Sequence, residues 1–358
     1  MRLALLGDIA LFGHCTTPEY FKKISDYLSS FDYVVGNLET PFSKQKKTNG
    51  AKSAYICAEP STVAILKQLH INAVTLANNH MFDYGVEGYE LTKKLLDNAG
   101  IKWFGTEGKE FWREIQGNKL SFAGFCCYTT NPLKCVPYGE YGVNAYNIEV
   151  ARRFISKSNA MGYLPILAVH AGLEHVNYPS VDHICAARQL TEMGNYVYYG
   201  HHPRVIQGVE EYKGSLIAHS LGNLCFDDVY TSVSKDNPLI ELTKNNRTGM
   251  VLEITIDDGK VVNWKEQVIY IGKRGDGLHL IDTPLSITDY NNGLVNCESD
   301  IDEYDAQRKA ILDKRIAERK AMRDLGWFLK RLRPRYIRLV MDMKKNVKLY
   351  NENVKKHI

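Results

Sequence analysis

The sequence predicts an α/β protein with a largely parallel sheet. Short apolar runs alternate through most of the chain with stretches in which apolar residues recur at helical spacing. The composition, with 44% hydrophobic and 24% charged residues, is that of an ordinary globular protein. Polar residues able to bind ligands follow several of the apolar runs, as expected where the carboxyl ends of parallel strands form a site.

Seven of the apolar runs have the length of a buried strand. The predicted strands are Leu3–Leu6, Tyr33–Val35, Ala73–Leu76, Leu120–Cys126, Leu164–Val169, Tyr196–Tyr199 and Leu216–Ala218. Farther along, Asp257-Asp258-Gly259 separates two more runs, which predicts an antiparallel hairpin of Met250–Ile256 with Val261–Tyr270.

Five stretches between the predicted strands have the spacing of helices. Thr17-Pro18 and Ser61 are start signals, and Gly100 and Gly194 are end signals. The predicted helices are Pro18–Ser29, Pro60–Leu69, Val86–Asn98, Ile148–Asn159 and Val181–Met193.

A length of 358 residues fits one large domain with a smaller appendage. We assign residues 1–272 to the main domain, residues 273–303 to a linker, and residues 304–358 to a helical, basic tail. No run approaches the roughly 20 apolar residues that span a bilayer, and Asp8 interrupts the first run, which predicts a strand instead of a targeting segment. The eight cysteines form no C-x-x-C pair, so reduced thiols in the cytoplasm are expected.

The charge is distributed unevenly along the chain. Residues 305–358 hold 17 Lys and Arg against 6 Asp and Glu, a net charge of +11, which leaves −7 on residues 1–304. Trp327 and Phe328 lie among these basic residues, a pattern typical of a segment that binds an anionic membrane surface. The alternative is a pair of helices that packs an apolar stripe on the main domain. No nucleic-acid-binding module is recognisable, so no specific nucleic acid is expected as a partner.

Six predicted strand ends carry carboxylate, amide or imidazole side chains. Each residue alone is more often a turn former, a helix cap or a buried polar residue than a functional group. Together they supply the ligand set of a divalent metal of the Mn, Fe or Zn kind. These residues are Asp8, Asn37, Glu39, Asn78, Asn79, His80, His170, Glu174, His201, His202 and Asn223.

The strings around these residues resemble the capsule-synthesis CapA family, which includes polyglutamate and capsule biosynthesis proteins. The matching strings, in the family order, are Gly7-Asp8, Asn37-Leu38-Glu39, Leu76-Ala77-Asn78-Asn79-His80 with Asp83-Tyr84-Gly85, His170-Ala171-Gly172-Leu173-Glu174, Gly200-His201-His202-Pro203 and Ser220-Leu221-Gly222-Asn223. The resemblance implies a calcineurin-like metallophosphoesterase fold, a four-layer α/β/β/α sandwich, here with a C-terminal helical basic extension.

The resemblance also implies roles for individual residues. The metal ligands would be Asp8, Glu39, Asn79, His170 and His202. Two departures, Ala10 and Arg204, remove ligands of a second ion, so one ion per chain is expected. Arg204 would polarise a phosphoryl oxygen or, alternatively, pair with Asp8 in place of the missing ion.

His80 would act as a general acid or stabilise a developing oxyanion. Asp83 would orient His80, or else cap the following helix. The predicted substrate contacts are Asn37, Asn78, Glu174, His201 and Asn223. His201 is expected beside the metal ligands, the alternative being that it is itself a ligand, and Glu174 would be a substrate contact or a base.

The resulting functional hypothesis is a metal-dependent hydrolase of a phosphoester or a related polymer linkage in capsule or surface-polymer biosynthesis. The alternative is a catalytically weak accessory protein that binds the polymer or its synthase. The expected location is the cytoplasm, with the tail attached to the inner face of the membrane if the membrane interpretation holds.

Overall fold

The computed structural model describes residues 1–45, 54–230, 238–273, 276–281, 287–321 and 341. The strands in this part of the chain are β1 (Arg2–Ile9), β2 (Tyr33–Leu38), β3 (Ala73–Thr75), β4 (Lys102–Phe104), β5 (Phe111–Ile115), β6 (Asn118–Cys126), β7 (Cys135–Val136), β8 (Val143–Asn144), β9 (Leu164–His170), β10 (Val197–His201), β11 (Val209–Tyr212), β12 (Ser215–Ala218), β13 (Asn223–Cys225), β14 (Thr248–Asp257), β15 (Lys260–Ile271) and β16 (Leu278–Ile281). The α-helices are α1 (Lys22–Leu28), α2 (Val63–Gln68), α3 (Gly85–Ala99), α4 (Ile148–Ala160), α5 (Val181–Leu190), α6 (Ile287–Ser299) and α7 (Ile301–Ala321).

Most of the strands form two large sheets. The first has the order β16-β15-β14-β1-β2-β3-β4, with β13 also paired to β1. The second has the order β11-β12-β10-β9-β6-β5. Strands β1 to β4 are parallel to one another, as are β6, β9, β10 and β12. Both sheets therefore contain a run of four parallel strands, as the alternation of strands and helices predicts.

The two sheets pack face to face over a core of large apolar side chains. Leu3 and Leu5 of β1 point into this core, where they join Phe122 of β6, Ile166 of β9 and Tyr199 of β10. All five side chains are fully buried. Burial of this kind supplies most of the stabilisation of a two-sheet sandwich.

The outer face of each sheet is covered by helices. Because side chains alternate along a strand, Ala4 and Leu6 of β1 face outward and pack with Ile24 of α1. On the other sheet, Leu167 of β9 packs with Phe154 of α4. The order of layers is thus helix, sheet, sheet, helix, which confirms the predicted four-layer α/β/β/α sandwich.

The parallel strands bring their carboxyl ends to a shared rim, where the segment between β12 and β13 lies very close to the backbones of β1 and β10. A Cβ atom on Gly7 of β1 would lie 2.0 Å from the carbonyl oxygen of Gly222, and one on Gly200 of β10 would lie 1.8 Å from the carbonyl oxygen of His219. Any side chain at these two positions would force the segment between β12 and β13 away. The glycines of the Gly-Asp and Gly-His strings therefore permit the approach that forms the rim.

All seven predicted strands and the hairpin are confirmed, with boundaries shifted by a few residues. Five helices are found where they were predicted, although Pro18–Phe21 and Pro60–Thr62 are 3-10 turns that precede α1 and α2. The sequence did not reveal β4 and β5, because both are short edge strands with charged or half-exposed residues.

The segment predicted as a linker, residues 273–303, contains regular structure in its described part. Strand β16 pairs with β15, and helix α6 spans Ile287–Ser299. Helix α6 buries Leu294 and Cys297 against Ile184 of α5 and Tyr304 of α7. The few apolar residues of α6 are enough to hold the helix in place, because they join a cluster that α5 and α7 also form and need no separate core. The division of the chain at residues 272 and 304 stays a prediction.

The predicted membrane-binding residues Trp327 and Phe328 lie outside the described residues. The described part of the tail is α7, whose first turn is anchored through Tyr304, which donates a hydrogen bond to the carbonyl of Pro179 over 2.8 Å. Among the described residues, no helix combines the length and the apolar character needed to cross a bilayer.

Truncation of Leu294 tests the attachment of α6. Leu294 is 1% exposed, and the neighbouring Val295 on the same helix is 66% exposed. We expect Leu294→Ala to lower the free energy of unfolding, measured in urea, by about 2–4 kcal/mol because it leaves a cavity. The matched control, Val295→Ala, should change it by less than about 0.5 kcal/mol. Equal effects of the two substitutions would show that α6 is not packed on the domain.

Candidate functional site

The predicted site residues from both sheets meet at the shared rim. On the first sheet, Asp8 of β1 lies in register with Asn37 of β2 and Asn223 of β13, and the ladder is irregular at Asp8. On the second sheet, His170 of β9 lies in register with His201 of β10. A break in a ladder next to a site re-aims side chains, and here it turns the carboxylate of Asp8 toward the histidines.

Three buried imidazoles form the centre of the rim. His170 Nδ1 lies 3.0 Å from His201 Nδ1, and His170 Nε2 lies 3.1 Å from His202 Nδ1. The side-chain oxygen of Asn79 lies 3.0 Å from the same Nε2. Among the described residues, His201 Nε2 is buried without a hydrogen-bond partner.

Both His201 and His202 reach His170 because the backbone turns sharply between them. Successive side chains of a strand point to opposite faces, so two adjacent histidines would normally diverge. His202 has a φ of 99°, outside the regions that L-residues usually occupy. Its N–H donates to Asp8 Oδ2 over 3.1 Å, which ties this strained residue to the opposite sheet.

Burial disfavours the charged form of two imidazoles in this cluster, those of His170 and His201. Desolvation, followed by the charges of His202, His201 and Arg204, holds the pKa of His170 well below its usual range. Desolvation and His202 lower the pKa of His201 to about 3. The neutral ring is the form of histidine that coordinates a metal ion.

The carboxylate of Asp8 faces this cluster. Asp8 Oδ1 accepts a hydrogen bond of 2.7 Å from the amide of Asn37, whose nitrogen lies 3.5 Å from His170 Nδ1. Asn37 therefore lies between Asp8 and His170. Burial, followed by the charge of Glu39, raises the pKa of Asp8 well above its usual range, because nothing in the cluster neutralises it fully.

Arg204 fills the other half of the rim. Its Nη1 and Nη2 donate to the two carboxylate oxygens of Glu39 over 2.9 and 2.8 Å, and its Nε donates to Glu174 over 3.0 Å. The guanidinium also lies 4.0 Å from the ring centre of Phe226. Despite desolvation, Glu39, Glu174 and Asp8 raise the pKa of Arg204, so this residue is a permanent cation.

These contacts bear on the predicted ligand set. Glu39 was predicted to bind metal, and here both of its carboxylate oxygens accept hydrogen bonds from Arg204. Arg204 was predicted either to bind substrate or to pair with Asp8, and its ion pairs are with Glu39 and Glu174. His201, predicted as a substrate contact beside the ligands, lies within the imidazole cluster itself.

His80 lies beside Arg204 and Glu39. Its Nδ1 is 2.6 Å from Asp83 Oδ2, and its Nε2 is 3.5 Å from Arg204 Nη2 and 3.9 Å from Glu39 Oε1. Asp83 also accepts a hydrogen bond from the backbone N–H of Ile56 over 3.2 Å. Of the two predicted roles for Asp83, orienting His80 is the one that these contacts support.

The surroundings of Ala10 are apolar. Ala10 is fully buried and packs in a cluster with Ile56, Phe226, Val229 and Leu242. At position 10, where the resemblance leads one to expect a ligand of a second ion, the structure has hydrocarbon packing.

Two of the predicted substrate contacts have scaffolding roles in the structure. Asn78 is fully buried and donates to Asn37 Oδ1 and to the carbonyl of Leu38, while its own oxygen accepts from the N–H of His80. Asn223 donates to the carbonyl of Asn246, and its Oδ1 has no hydrogen-bond partner among the described residues.

Sequence reasoning missed two residues that support the site. Asn246 donates to the carbonyl of Arg204 over 3.1 Å and contacts His175 Nδ1 over 2.6 Å. Thr130 accepts a hydrogen bond of 3.1 Å from the side chain of Asn79 through its carbonyl oxygen. Neither residue directly follows a predicted strand. Thr130 acts through its backbone carbonyl, which every residue has, so its identity gives no sign of this role.

The chemistry of the donor set fits a divalent cation. Asp8, His170 and His201 offer ligand atoms that all lie within 4.8 Å of one another, and all three residues are buried. One carboxylate and neutral imidazoles are ligands for Mn, Fe or Zn. The unpartnered nitrogen of His201 is a further sign that a group belongs in this cluster.

Comparison with known proteins places these residues in a family context. The sequence profile of the bacterial capsule synthesis protein family PGA_cap matches residues 2–228. This range contains every residue of the imidazole cluster, His80, Arg204 and both of its carboxylate partners.

Two relatives have descriptions of the same kind. The capsule biosynthesis protein CapA of Bacillus anthracis is 28% identical over 284 residues, which are 72% of this chain and 68% of that protein. The PGA biosynthesis protein CapA of Bacillus subtilis (strain 168) is 28% identical over 246 residues, 66% of this chain and 64% of that protein. The chain thus matches less than two thirds of the length of the second relative. Among solved structures, a phosphatase of Mycoplasma pneumoniae aligns with a TM-score of 0.47 at 14% identity, covering 75% of this chain and 93% of that one.

The Arg204–Glu39 pair can be tested by removing one charge. Arg204→Met leaves the fully buried Glu39 without a counter-charge, so the free energy of unfolding should fall by about 3–5 kcal/mol in a urea titration. Adding Glu39→Gln should recover a large part of this loss. As a control, Arg152→Met removes an exposed pair with Glu149 and should cost less than about 1 kcal/mol. A loss for Arg204→Met no larger than for the control would contradict the buried pair.

Proposed function

This chain belongs to the bacterial capsule synthesis protein family PGA_cap, and we propose that it is a metal-dependent hydrolase of a phosphoester or a related polymer linkage. The observation that carries the proposal is the cluster of Asp8, His170 and His201 beside the His80–Asp83 pair and the guanidinium of Arg204. A cation site, a proton-transfer group and a fixed positive charge at one rim are the parts that such a hydrolysis needs.

The cation would be held by Asp8, His170 and His201, with Asn79 and His202 contacting the same imidazole. One divalent ion per chain is proposed, of the Mn, Fe or Zn kind. When bound, it supplies Lewis acidity toward a phosphoryl or carbonyl oxygen. Arg204 adds positive charge on the other side, and its contacts with Glu39 hold the guanidinium plane in one orientation.

His80 is the proton-transfer group in this proposal. A hydrogen bond from Nδ1–H to Asp83 directs Nε2 toward Arg204 and Glu39. When the ring carries a second proton, on Nε2, it can give that proton to a leaving oxygen or stabilise negative charge that develops there. Burial of the surrounding groups excludes bulk water and strengthens each of these interactions.

The proposed biological role is capsule or surface-polymer biosynthesis, and the proposed substrate is a polymer or phosphoester of that process. The support is the family membership together with the descriptions of the two CapA relatives.

A matched pair of variants tests the proposal. With Mn²⁺, the protein should bind one metal ion per chain, counted by elemental analysis after dialysis, and should hydrolyse a chromogenic phosphodiester. His170→Ala should lose both the ion and the activity, because it removes a ligand at the centre of the cluster. His80→Asn should keep the ion and lower kcat by a factor of about 10²–10⁴, because it removes only the proton-transfer group.

His183→Ala is the control, since His183 lies on α5 outside the cluster, and it should change neither measurement. Two ions per chain would contradict the one-ion proposal, and undiminished hydrolysis by His80→Asn would remove His80 from the mechanism.

A second candidate is a catalytically weak accessory protein that binds the polymer or its synthase. The closed Arg204–Glu39 pair and the apolar surroundings of Ala10 favour it, because they take the place of a second cation. Metal binding without hydrolysis of any phosphodiester offered would support this candidate over the first.

We also propose that residues 305–358 attach the protein to an anionic membrane surface. The support is the charge of +11 beside Trp327 and Phe328 in the sequence, with about 1 kcal/mol contributed by each basic residue near the surface. The full chain should sediment with vesicles that contain anionic lipid at low salt, whereas a chain ending at Glu303 should not. Equal sedimentation of the two would favour packing of the tail on the main domain.

A further inference from the structure

We propose that Glu174 occupies the place of a substrate oxyanion on Arg204, and that a phosphate or carboxylate group displaces it on binding. The inference rests on the proposed function, because it names the chemical group by which the same site recognises its substrate. It assigns Glu174 the role of a built-in competitor that the substrate must replace.

The two carboxylates bound to Arg204 differ in exposure. The side chain of Glu39 is 0% exposed and accepts hydrogen bonds from two guanidinium nitrogens. The side chain of Glu174 is 38% exposed and accepts one hydrogen bond, from Nε. A buried, bidentate pair is costly to separate, whereas a partly exposed carboxylate regains water when it leaves. Glu39 is therefore the permanent partner of Arg204, and Glu174 is the exchangeable one.

Glu174 lies on the edge of the guanidinium that suits an oxyanion. In a planar guanidinium, Nε–H and one N–H of Nη2 point in parallel along one edge and match two oxygens of a phosphate or carboxylate. Here Nε donates to Glu174 Oε1, and Nη2 lies 3.5 Å from His80 Nε2, the long limit of a hydrogen bond. An oxyanion with two oxygens on this edge would contact Nε and Nη2 together and lie beside His80.

The surroundings of Glu174 permit it to leave. The preceding residue, Leu173, is 43% exposed, and Gly172 has a φ of 106° at the start of the loop. The other oxygen of Glu174 lies 3.8 Å from His175 Nε2. Among the described contacts, rotation of the 38% exposed Glu174 side chain toward solvent would break one hydrogen bond, the one from Arg204 Nε.

The charges of the site explain why a competitor is useful. Glu39 is a buried carboxylate on Arg204, and Glu174 adds a second one at the same guanidinium. An anion entering beside both would be repelled, whereas one that replaces Glu174 leaves the number of anionic groups at the guanidinium unchanged. Recognition is then limited to groups that offer an oxyanion in place of the glutamate.

Calorimetric titration of the full chain with inorganic phosphate tests the proposal. Glu174→Gln should bind phosphate about tenfold more tightly than the wild type, with and without Mn²⁺, because the competing charge is gone. Glu192→Gln, which neutralises an exposed glutamate 3.9 Å from Arg152, is the matched control and should leave the affinity unchanged. Titration with acetate forms the second arm, and the anion with the larger gain identifies a phosphoester or a carboxylate as the source of the oxyanion.

The gain should disappear in Glu174→Gln combined with Arg204→Lys, because lysine keeps the charge and lacks the two-donor edge. Unchanged or weaker binding of both anions by Glu174→Gln, an equal gain in Glu192→Gln, or a gain that survives Arg204→Lys would each overturn the proposal. These titrations measure binding and require no turnover. If the protein hydrolyses nothing, the proposed function is contradicted, but the titrations still decide whether an anion displaces Glu174.

Discussion

The ion pair between Glu39 and Arg204 joins the two sheets at the rim where all the candidate chemistry lies. Glu39 directly follows β2 of the first sheet, and Arg204 lies three residues beyond β10 of the second. Both side chains are almost completely buried, so their attraction acts in a medium of low polarity and both must be satisfied by hydrogen bonds. The pair fixes the guanidinium, and through it the positions of Glu174 and His80. It also occupies a carboxylate that would otherwise be available to a cation.

This arrangement divides the rim into two halves with different chemistry. One half is a set of buried imidazoles with the carboxyl group of Asp8, suited to a divalent cation. The other half is a permanent cation, Arg204, held by Glu39 and covered at its outer edge by Glu174. His80 lies within 4 Å of Glu39 and Arg204 and is oriented by Asp83. If the proposed cation were bound in the first half, a substrate anion placed between the halves would meet positive charge on both sides.

Most of the layered architecture could be predicted, because buried parallel strands give apolar runs and the helices between them give a different spacing. The edge strands β4 and β5 and helix α6 were not predicted, because they lack a clear apolar run or helical spacing. Lys102 begins β4, and α6 contains few apolar residues, so neither shows a clear period. What stabilises α6 is its contact with Ile184 and Tyr304, which are distant in sequence.

The sequence alone determined which donor groups follow the strands. It also showed that positions 10 and 204, Ala10 and Arg204, carry no metal ligand. Both can be read locally, because they depend only on residue identity and on where each strand ends. Only the tertiary structure decided which donors meet. It paired Glu39 with Arg204, placed Asn37 between Asp8 and His170, and brought His201 into the cluster. These outcomes depend on the direction of each side chain at the rim, which the irregular ladder at Asp8 and the φ of 99° at His202 set. Such backbone departures arise where two sheets must approach closely, and no local sequence pattern encodes that distance.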